Sequence, residues 1–284
     1  MISITPQTEL FSILGYSVQT WGTIVALGIA VSLFFLFRKA KQNKLLEQSQ
    51  MLIVYILFSG LIGARIIYIL LNPSEFPNFL SLFEVWKGGI VSWGVFLGGF
   101  LGIMLFKITS KIKSSELKNL LDLMAPYFIL AVAIGRIGCF LRGCCFGIAS
   151  NLPWAIVYIE GLSSQAGLTA VHPTQLYHAI LDFLIFIILL KINKKKEFLN
   201  KNKQKSRFGF FNKAGGTFLL FILLYSVERF FVDFLRFHPA SEYIGRITIT
   251  QIIFTFLFFI ALFLLIKIRT PDSSTNANMK PKNS

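Results

Sequence analysis

Seven apolar runs, each close to the length of a membrane-spanning helix, constrain this chain more than any other feature of its sequence. A helix needs about 20 apolar residues to cross the hydrocarbon core of a bilayer. Lipid also requires each spanning segment to satisfy its own backbone hydrogen bonds. The runs therefore predict an all-α polytopic membrane protein with seven transmembrane helices, at 18–37, 51–71, 89–107, 121–141, 174–192, 215–236 and 250–268.

Composition supports the same class. Of the 284 residues, 55% are hydrophobic and 15% aromatic, and only 14% are charged. Soluble domains rarely have this balance. The formal net charge of +15 would suggest a nucleic-acid partner in a soluble protein. Here the basic residues lie in short segments between the apolar runs, so they are better interpreted as topology signals, and no nucleic-acid partner is predicted.

The distribution of basic residues predicts the orientation. Segments after the first, third, fifth and seventh runs hold 21 of the 28 Lys and Arg residues, whereas the opposite set holds four. The positive-inside rule therefore places the N-terminus outside and the C-terminus in the cytoplasm. Residues 1–269 are expected to form one seven-span domain, and 270–284 a polar, disordered cytoplasmic tail. The Lys-rich segment 191–213 is expected to be a solvated cytoplasmic loop, and 1–17 a short surface or interfacial segment.

Three arginines lie inside apolar runs. Arg136 stands in the stretch APYFILAVAIGRIGCFLRGCCFG, at 125–147. A cation inside a bilayer costs a few kcal/mol or more, so it needs a partner or a water-filled cavity, and it predicts a site that binds something negative. Arg229 raises the same question. For Arg65, a structural ion pair and a ligand role are equally open.

Polar residues on the sixth run form a single stripe. Tyr225, Arg229, Asp233 and Arg236 follow one another at spacings of four, four and three residues. Such a stripe cannot face lipid, so it is expected to face the interior of the bundle. An ion pair between Asp233 and Arg229 is expected to orient the guanidinium.

The fifth run opens with VHPTQLYHAILDF, and its polar residues share one helix face. Gln175, His178 and Asp182 are three and four residues apart, so His178 and Asp182 are expected to pair as imidazole and carboxylate. His172 has two open interpretations. It could be an interfacial histidine bonded to backbone, or a general base or hydrogen-bond donor at the outer mouth.

Small residues concentrate at the outer ends of two runs. Gly98 and Gly102, four residues apart, predict close helix packing, as do Gly60 and Gly63. The segment from Gly143 to Gly147 is expected to end the fourth helix and to point backbone amides at an anion.

The three cysteines, Cys139, Cys144 and Cys145, all lie in the central stretch and lack the spacing of a zinc site. No metal is predicted there. They are interpreted mainly as packing residues, and a disulfide in an oxidising compartment would leave one thiol over.

Two or more arginines beside an apolar-walled, outward-opening cavity favour a phosphate, because guanidinium and phosphate form forked hydrogen bonds. A phosphate attached to acyl chains suits such a cavity. The sequence therefore predicts a phospholipid substrate from the outer leaflet. Two rivals are a solute transporter, whose charges would form a pathway across the membrane, and a non-catalytic scaffold that binds anionic phospholipid.

The same residues resemble the bacterial prolipoprotein diacylglyceryl transferase family. The family transfers the diacylglyceryl group of phosphatidylglycerol to the lipobox cysteine thiol of a preprolipoprotein, in the cytoplasmic (inner) membrane, with the active site toward the outer side. A thioether forms, glycerol phosphate leaves, and no cofactor is implied. The matching motifs are GARIIYIL (63–70), GGIVSWGVFLGG (88–99), DLMAPYFILAVAIGRIGCFLRGCCFG (122–147), LPWAIVY (152–158), HPTQLY (172–177) and Y-x-x-x-R-F-x-x-x-F-x-R (225–236).

The resemblance implies roles for single residues. Arg136 and Arg229 would hold the phosphate and stabilise its growing charge as the C–O bond breaks. Residues expected to contact phosphatidylglycerol with them are Tyr225, Gly135, Gly138, Gly143, Gly147, Trp93 and Gln175. Residues expected to orient the site or support its structure are Arg65, Asp233, Arg236 and His178.

Five positions depart from the family pattern. Trp93 replaces a histidine, Trp21 a tyrosine, Cys139 an asparagine and His178 a glutamate, and Asp233 is a shorter acid than usual. A mechanism with a third-span histidine as base therefore does not apply. The hypothesis is that His172 or His178 deprotonates the incoming thiol, or that a thiolate arrives from water without a dedicated base.

Overall fold

Seven long α-helices make up most of the described chain, and each overlaps one of the seven apolar runs. The computed structural model describes residues 2–13, 16–73, 92–159, 169–202 and 213–269. The helices in these residues are α1 (Thr20–Gln42), α2 (Leu46–Leu71), α3 (Ser92–Ser110), α4 (Ser114–Arg142), α5 (Thr174–Lys201), α6 (Gly216–Asp233) and α7 (Ile249–Arg269).

Five of these helices, α1, α2, α4, α5 and α7, are long and apolar enough to cross a membrane. The apolar part of α3, Gly94–Ser110, is shorter, and α6 carries three charged side chains within 18 residues. Large apolar side chains cover the outer faces of the helices. On α7, Phe256, Phe259 and Phe263 are 65%, 60% and 66% exposed. A surface of this kind is typical of a multi-pass membrane protein.

Internal packing divides the chain into two compact units, one formed by Phe37–Leu120 and the other by Met1–Leu36 with Leu121–Ser284. In the first, α2 and α3 pack through glycines. A Cβ added at Gly63 would lie 2.6 Å from the carbonyl oxygen of Gly94, and one at Gly102 would lie 2.7 Å from that of Tyr55. The predicted close packing of these helices is confirmed. Arg65 is buried on α2, and the side chain of Trp93 lies outside the described residues.

The other unit also contains six short strands among its described residues, near the N-terminus, after α4 and before α7. Residues 1–17, expected to be a surface or interfacial segment, contain β1 (Ile2–Ile4), β2 (Glu9–Ile13) and the start of β3 (Tyr16–Gln19). Strand β1 pairs in parallel with β4 (Ile156–Tyr158), and β2 pairs antiparallel with β3.

Strands β5 (Tyr243–Ile244) and β6 (Ile247–Thr248) form a hairpin directly before α7. Thr248 and Gln251 cap that helix, because the Gln251 amide donates to Thr248 Oγ1 and the Thr248 amide donates to Gln251 Oε1, both at 3.1 Å.

The prediction of a solvated loop at 191–213 is wrong for its first half, because α5 continues to Lys201. Lys, Glu and Leu are good helix formers, so the Lys-rich sequence itself favours helix. Burial adds to this, since Leu199 is only 9% exposed and the Lys196 ammonium pairs with Asp122. Residues 203–212 of this segment, and the predicted tail at 270–284, lie outside the described residues.

Asp122 of α4 connects α5 and the start of α6. Its carboxylate accepts hydrogen bonds from the Lys196 ammonium at 2.7 Å, the Gly215 amide at 2.9 Å and the Phe218 amide at 2.8 Å. Two of these donors are amides at the N-terminus of α6, which have no partner inside their own helix. A carboxylate there also interacts favourably with the helix dipole. Asp122, only 3% exposed, therefore caps α6 from another helix.

Replacing Asp122 by alanine is expected to lower the free energy of unfolding by about 3 kcal/mol, because two amides and an ammonium lose a buried partner. Thermal unfolding of the purified protein in detergent would measure the loss. Glu116→Ala is the matched control, since Glu116 is an exposed acid on the same helix and should change stability little. Equal melting temperatures for Asp122→Ala and Glu116→Ala would contradict the capping role.

Candidate functional site

Arg136 of α4 and Arg229 of α6 lie close enough for their charges to interact. The Tyr225 side chain interacts with both guanidinium groups. Arg136 also interacts with the charge of Asp182 on α5. The structure therefore brings together the two arginines that the sequence placed in separate apolar runs.

The polar stripe of α6 faces the protein interior, as predicted. Tyr225 is 7% and Asp233 3% exposed, whereas Phe231 on the other side of the helix is 63% exposed. Arg236, the last member of the stripe, donates from Nη2 to Cys145 Sγ at 3.7 Å.

Two aromatic rings lie against the Arg229 guanidinium. Its central carbon lies 5.4 Å from the ring centre of Phe254 and 6.0 Å from that of Tyr225. Tyr225 is itself fixed by stacking on Phe221, at 5.8 Å between ring centres. A cation over ring faces gains about 0.5–2 kcal/mol, depending on how far it is desolvated. Arg229 thus keeps hydrogen-bonding capacity for another group.

Arg136 is half-buried near the end of α4. Among the residues that the structure describes, its guanidinium has no ion-pair partner. A partly buried guanidinium offers five N–H donors that an anionic ligand can satisfy. Its position therefore suits an anion that also reaches Arg229.

The predicted pair of His178 and Asp182 is wrong. The Nδ1–H group of His178 is hydrogen-bonded to Glu228 of α6, and Arg229 Nη1 lies 3.3 Å from His178 Nε2. Since a guanidinium can only donate, Nε2 of His178 is the acceptor. The spacing of four residues on α5 made Asp182 a plausible partner, but Glu228 approaches from a neighbouring helix.

Glu228 was missed by the sequence analysis, although an acid next to Arg229 in an apolar run was a usable signal. It is 6% exposed and His178 is 1% exposed. Asp182 is fully buried, and among the described residues neither of its carboxylate oxygens has a hydrogen-bond partner. Its charge instead interacts with Arg136 and Arg229. Two acids and one imidazole thus surround the two arginines.

The predicted ion pair between Asp233 and Arg229 is also not formed. Asp233 lies at the end of α6 and bonds to His238 Nε2 at 3.0 Å and to the Thr248 hydroxyl. His238 in turn bonds to Glu242 at 2.6 Å. Burial lowers the pKa of His238, but the two carboxylates outweigh this effect and raise it above its usual value. Asp233 therefore joins the end of α6 to the start of α7.

Glycines in the turn after α4 allow a positive φ and a close approach of the chain, and two further glycines lie within α4 itself. Gly143 has a φ of 70° and ends the helix, with the Cys144 amide donating to the Cys139 carbonyl at 3.1 Å. A Cβ added at Gly147 would lie 2.5 Å from the carbonyl oxygen of Leu235. One at Gly138 would lie 3.1 Å from Ile24 Cβ, and one at Gly135 would make only an ordinary contact, 3.5 Å from Val25 Cγ2. The predicted contacts of these four glycines with lipid stay a prediction.

The motif HPTQLY fixes this turn from the start of α5. Thr174 Oγ1 donates to the Cys145 carbonyl and Gln175 Nε2 to the Cys144 carbonyl, each at 2.7 Å. Gln175 is fully buried. Its hydrogen bond to the Cys144 carbonyl helps to position the turn.

His172 is half-buried and lies just before the start of α5. Its carbonyl accepts from the Gly147 amide at 2.8 Å, and its Nδ1 lies 3.3 Å from the Tyr177 hydroxyl. The described contacts thus join His178, rather than His172, directly to Arg229.

Comparisons with known proteins identify the family of this chain. The family model for prolipoprotein diacylglyceryl transferase matches residues 8–267. The phosphatidylglycerol–prolipoprotein diacylglyceryl transferase of Clostridium tetani is 30% identical over 256 residues, which cover 89% of this chain and 94% of that protein. The second such transferase of Clostridium perfringens is 32% identical over 259 residues, which cover 90% of this chain and 91% of that protein. With a family match over most of its length, the chain belongs to the prolipoprotein diacylglyceryl transferase family.

Proposed function

We propose that this chain transfers the diacylglyceryl group of phosphatidylglycerol to the lipobox cysteine thiol of a preprolipoprotein. The products are a thioether and glycerol phosphate, and the reaction uses no cofactor. The proposal is supported above all by the proximity of Arg136 and Arg229, from α4 and α6, in a member of this transferase family. The names of the relatives mention both substrates, phosphatidylglycerol and prolipoprotein.

The proposed topology has seven spans in the bacterial cytoplasmic (inner) membrane, with the N-terminus outside and the C-terminus inside. The excess of basic residues in alternate segments, 21 of 28, supports this orientation. Seven described helices at the seven apolar runs are consistent with it. The end of α4 and the start of α5 then face the outer side, where lipoprotein precursors emerge.

In the proposed reaction, the lipid phosphate binds between Arg136 and Arg229 while the acyl chains stay in the bilayer. The sulfur of the incoming cysteine attacks the glyceryl carbon, and the C–O bond to the phosphate breaks with its electrons going to oxygen. The growing negative charge is stabilised by guanidinium groups that are already in place. The Tyr225 hydroxyl, which interacts with both arginines, is a further donor.

His178 and Glu228 are the proposed base. The Nε2 atom of His178 accepts a hydrogen bond from one N–H group of Arg229. A phosphate that accepts this N–H instead would free the Nε2 lone pair for the thiol proton, with the guanidinium still in place. Glu228, bonded to Nδ1, would stabilise the imidazolium that forms. His172 is the second candidate, because its ring is half-buried just before the start of α5.

The remaining predicted residues support the site in this proposal. Gln175, Gly143 and Gly147 shape the turn after α4 through the contacts described above. Asp233 and Arg236 fix the end of α6. Roles for Trp93 and Arg65 in lipid binding or orientation remain predictions.

Complementation tests the function. A bacterium depleted of its own transferase and expressing this chain should regain lipidated prolipoprotein, which mass spectrometry of a reporter lipoprotein would detect. The double variant Arg136→Ala/Arg229→Ala, at equal membrane levels, is the control. Unmodified reporter with bound phosphatidylglycerol would instead indicate a scaffold, and solute uptake by vesicles containing the protein would indicate a transporter.

A further inference from the structure

The three cysteines of this chain form one cluster at the end of α4. The sulfur atoms of Cys139, Cys144 and Cys145 all lie within 4.8 Å of one another, and all three thiols are free. They are also the only cysteines among the 284 residues. The sequence spacing did not predict a metal site, because Cys139 and Cys144 are brought together by the turn that ends the helix.

Backbone geometry explains the cluster. Gly143 has a φ of 70° and Cys145 a φ of 61°, so the chain folds back over the last turn of α4. The Cys144 thiol donates to the Cys139 carbonyl at 3.6 Å. Thr174 and Gln175 bind the carbonyls of Cys145 and Cys144 from α5, which fixes the two turn residues in place. The backbone of the turn therefore places the three cysteines next to one another.

The spacing of the sulfurs suits a thiophilic ion. With a Zn–S bond of about 2.3 Å, three sulfurs on one ion lie about 4 Å apart. The observed separations, all within 4.8 Å, approach this value, so side-chain rotations alone could close the site. A disulfide would use two of the thiols and leave the third over.

Two cationic side chains lie beside the cluster. Arg236 Nη2 lies 3.7 Å from Cys145 Sγ, and Arg136 interacts with the charges of both Cys139 and Cys145. Nearby guanidinium groups stabilise thiolates. Three thiolates and one divalent cation carry a net charge of −1, which these arginines would offset.

We propose that Cys139, Cys144 and Cys145 form a trithiolate site for one thiophilic divalent cation, such as Zn²⁺ or Cd²⁺. Binding replaces three S–H bonds by three metal–sulfur bonds and releases three protons to solvent, with no change in oxidation state. The site lies beside Arg136 and uses no residue proposed as the base. This inference does not depend on the transfer reaction.

Titration of the purified, reduced full chain in detergent with Cd²⁺ tests the proposal. The ultraviolet thiolate-to-cadmium charge-transfer band should rise to an end point of one ion per chain, and bound Cd²⁺ should protect all three cysteines from alkylation. Each single variant, Cys139→Ser, Cys144→Ser or Cys145→Ser, should weaken binding by at least about tenfold. The cysteine-free triple variant should give no band.

His238→Gln is the matched control, because His238 belongs to a separate cluster of imidazole and carboxylates and its loss should leave the band unchanged. Thermal unfolding of each variant would show whether a weakened signal reflects misfolding. The Cd²⁺ affinities of the single variants that unfold like the parent then test the site. Absence of the band in the parent chain, an equal Cd²⁺ affinity in all three single variants and the parent, or a disulfide that persists under reducing conditions would overturn the proposal.

Discussion

Replacing either Arg136 or Arg229 by alanine is expected to lower diacylglyceryl transfer by at least about a hundredfold, while the protein still inserts into the membrane. Loss of one preorganised donor to a developing anion typically costs about 10²–10³ in rate. Among the described residues, neither guanidinium forms a close ion pair: Arg136 has none, and Arg229 lies against two rings and bonds to His178. The main expected defect is therefore in chemistry.

A transfer assay with phosphatidylglycerol vesicles and a lipobox peptide would measure this loss. Arg136→Lys and Arg229→Lys keep the charge but lose the forked geometry, so both should retain partial activity. Arg38→Ala is the matched control, because Arg38 is an exposed arginine near the end of α1. Full activity of both alanine variants, at membrane levels equal to the parent, would refute the phosphate role.

Replacing His178 by glutamine is expected to lower transfer by about 10²–10⁴-fold near neutral pH, because the thiol loses its base. The defect should shrink as the pH rises toward about 8.5, where a free cysteine thiol ionises without help. A rate profile from about pH 6 to about pH 9 would measure both effects. Glu228→Gln should give a smaller loss with the same trend, since it removes only the charge that stabilises the imidazolium.

His172→Gln provides the comparison between the two candidate bases. If His172→Gln shows the pH-dependent loss and His178→Gln does not, the base is His172 and the assignment to His178 is wrong. A defect in His178→Gln that stays constant across the pH range would instead indicate that His178 only positions Arg229. In that case the thiolate would arrive from water without a dedicated base.

Helix positions could be predicted from the sequence because lipid imposes a length and a composition on each spanning segment. The seventh apolar run at 250–268 corresponds to α7, Ile249–Arg269. The glycine packing of α2 against α3 was predictable for a similar reason. Residues four apart on one face, such as Gly98 and Gly102, leave a groove into which the facing helix packs closely.

Side-chain pairs were harder to predict, because spacing along one helix says nothing about residues that arrive from another. His178 has Asp182 one turn away on its own helix, yet its partner is Glu228 of α6. Asp233 lies one turn from Arg229 but bonds to His238 and Thr248 beyond the helix end. The cysteine cluster was missed because a turn, not a periodic element, brings the sulfurs together.

The bonds of Asp122 show the same limit. Its carboxylate binds Lys196, Gly215 and Phe218, which are far away in sequence. An acid near the start of an apolar run could as well have been a flanking, solvated charge. Only the arrangement of three helices determines that it is a buried cap.

The parallel pairing of β1 with β4 sets an order for biosynthesis. Ile2 pairs with Ile156 and Ile4 with Tyr158, so strand β1 cannot complete its hydrogen bonds until the four described helices between the two strands have been made. Until then the N-terminal strand has an unpaired edge, and closing so long a loop is slow. A tag fused ahead of Ile2 would sit at this junction, whereas one placed after α7 would leave it undisturbed.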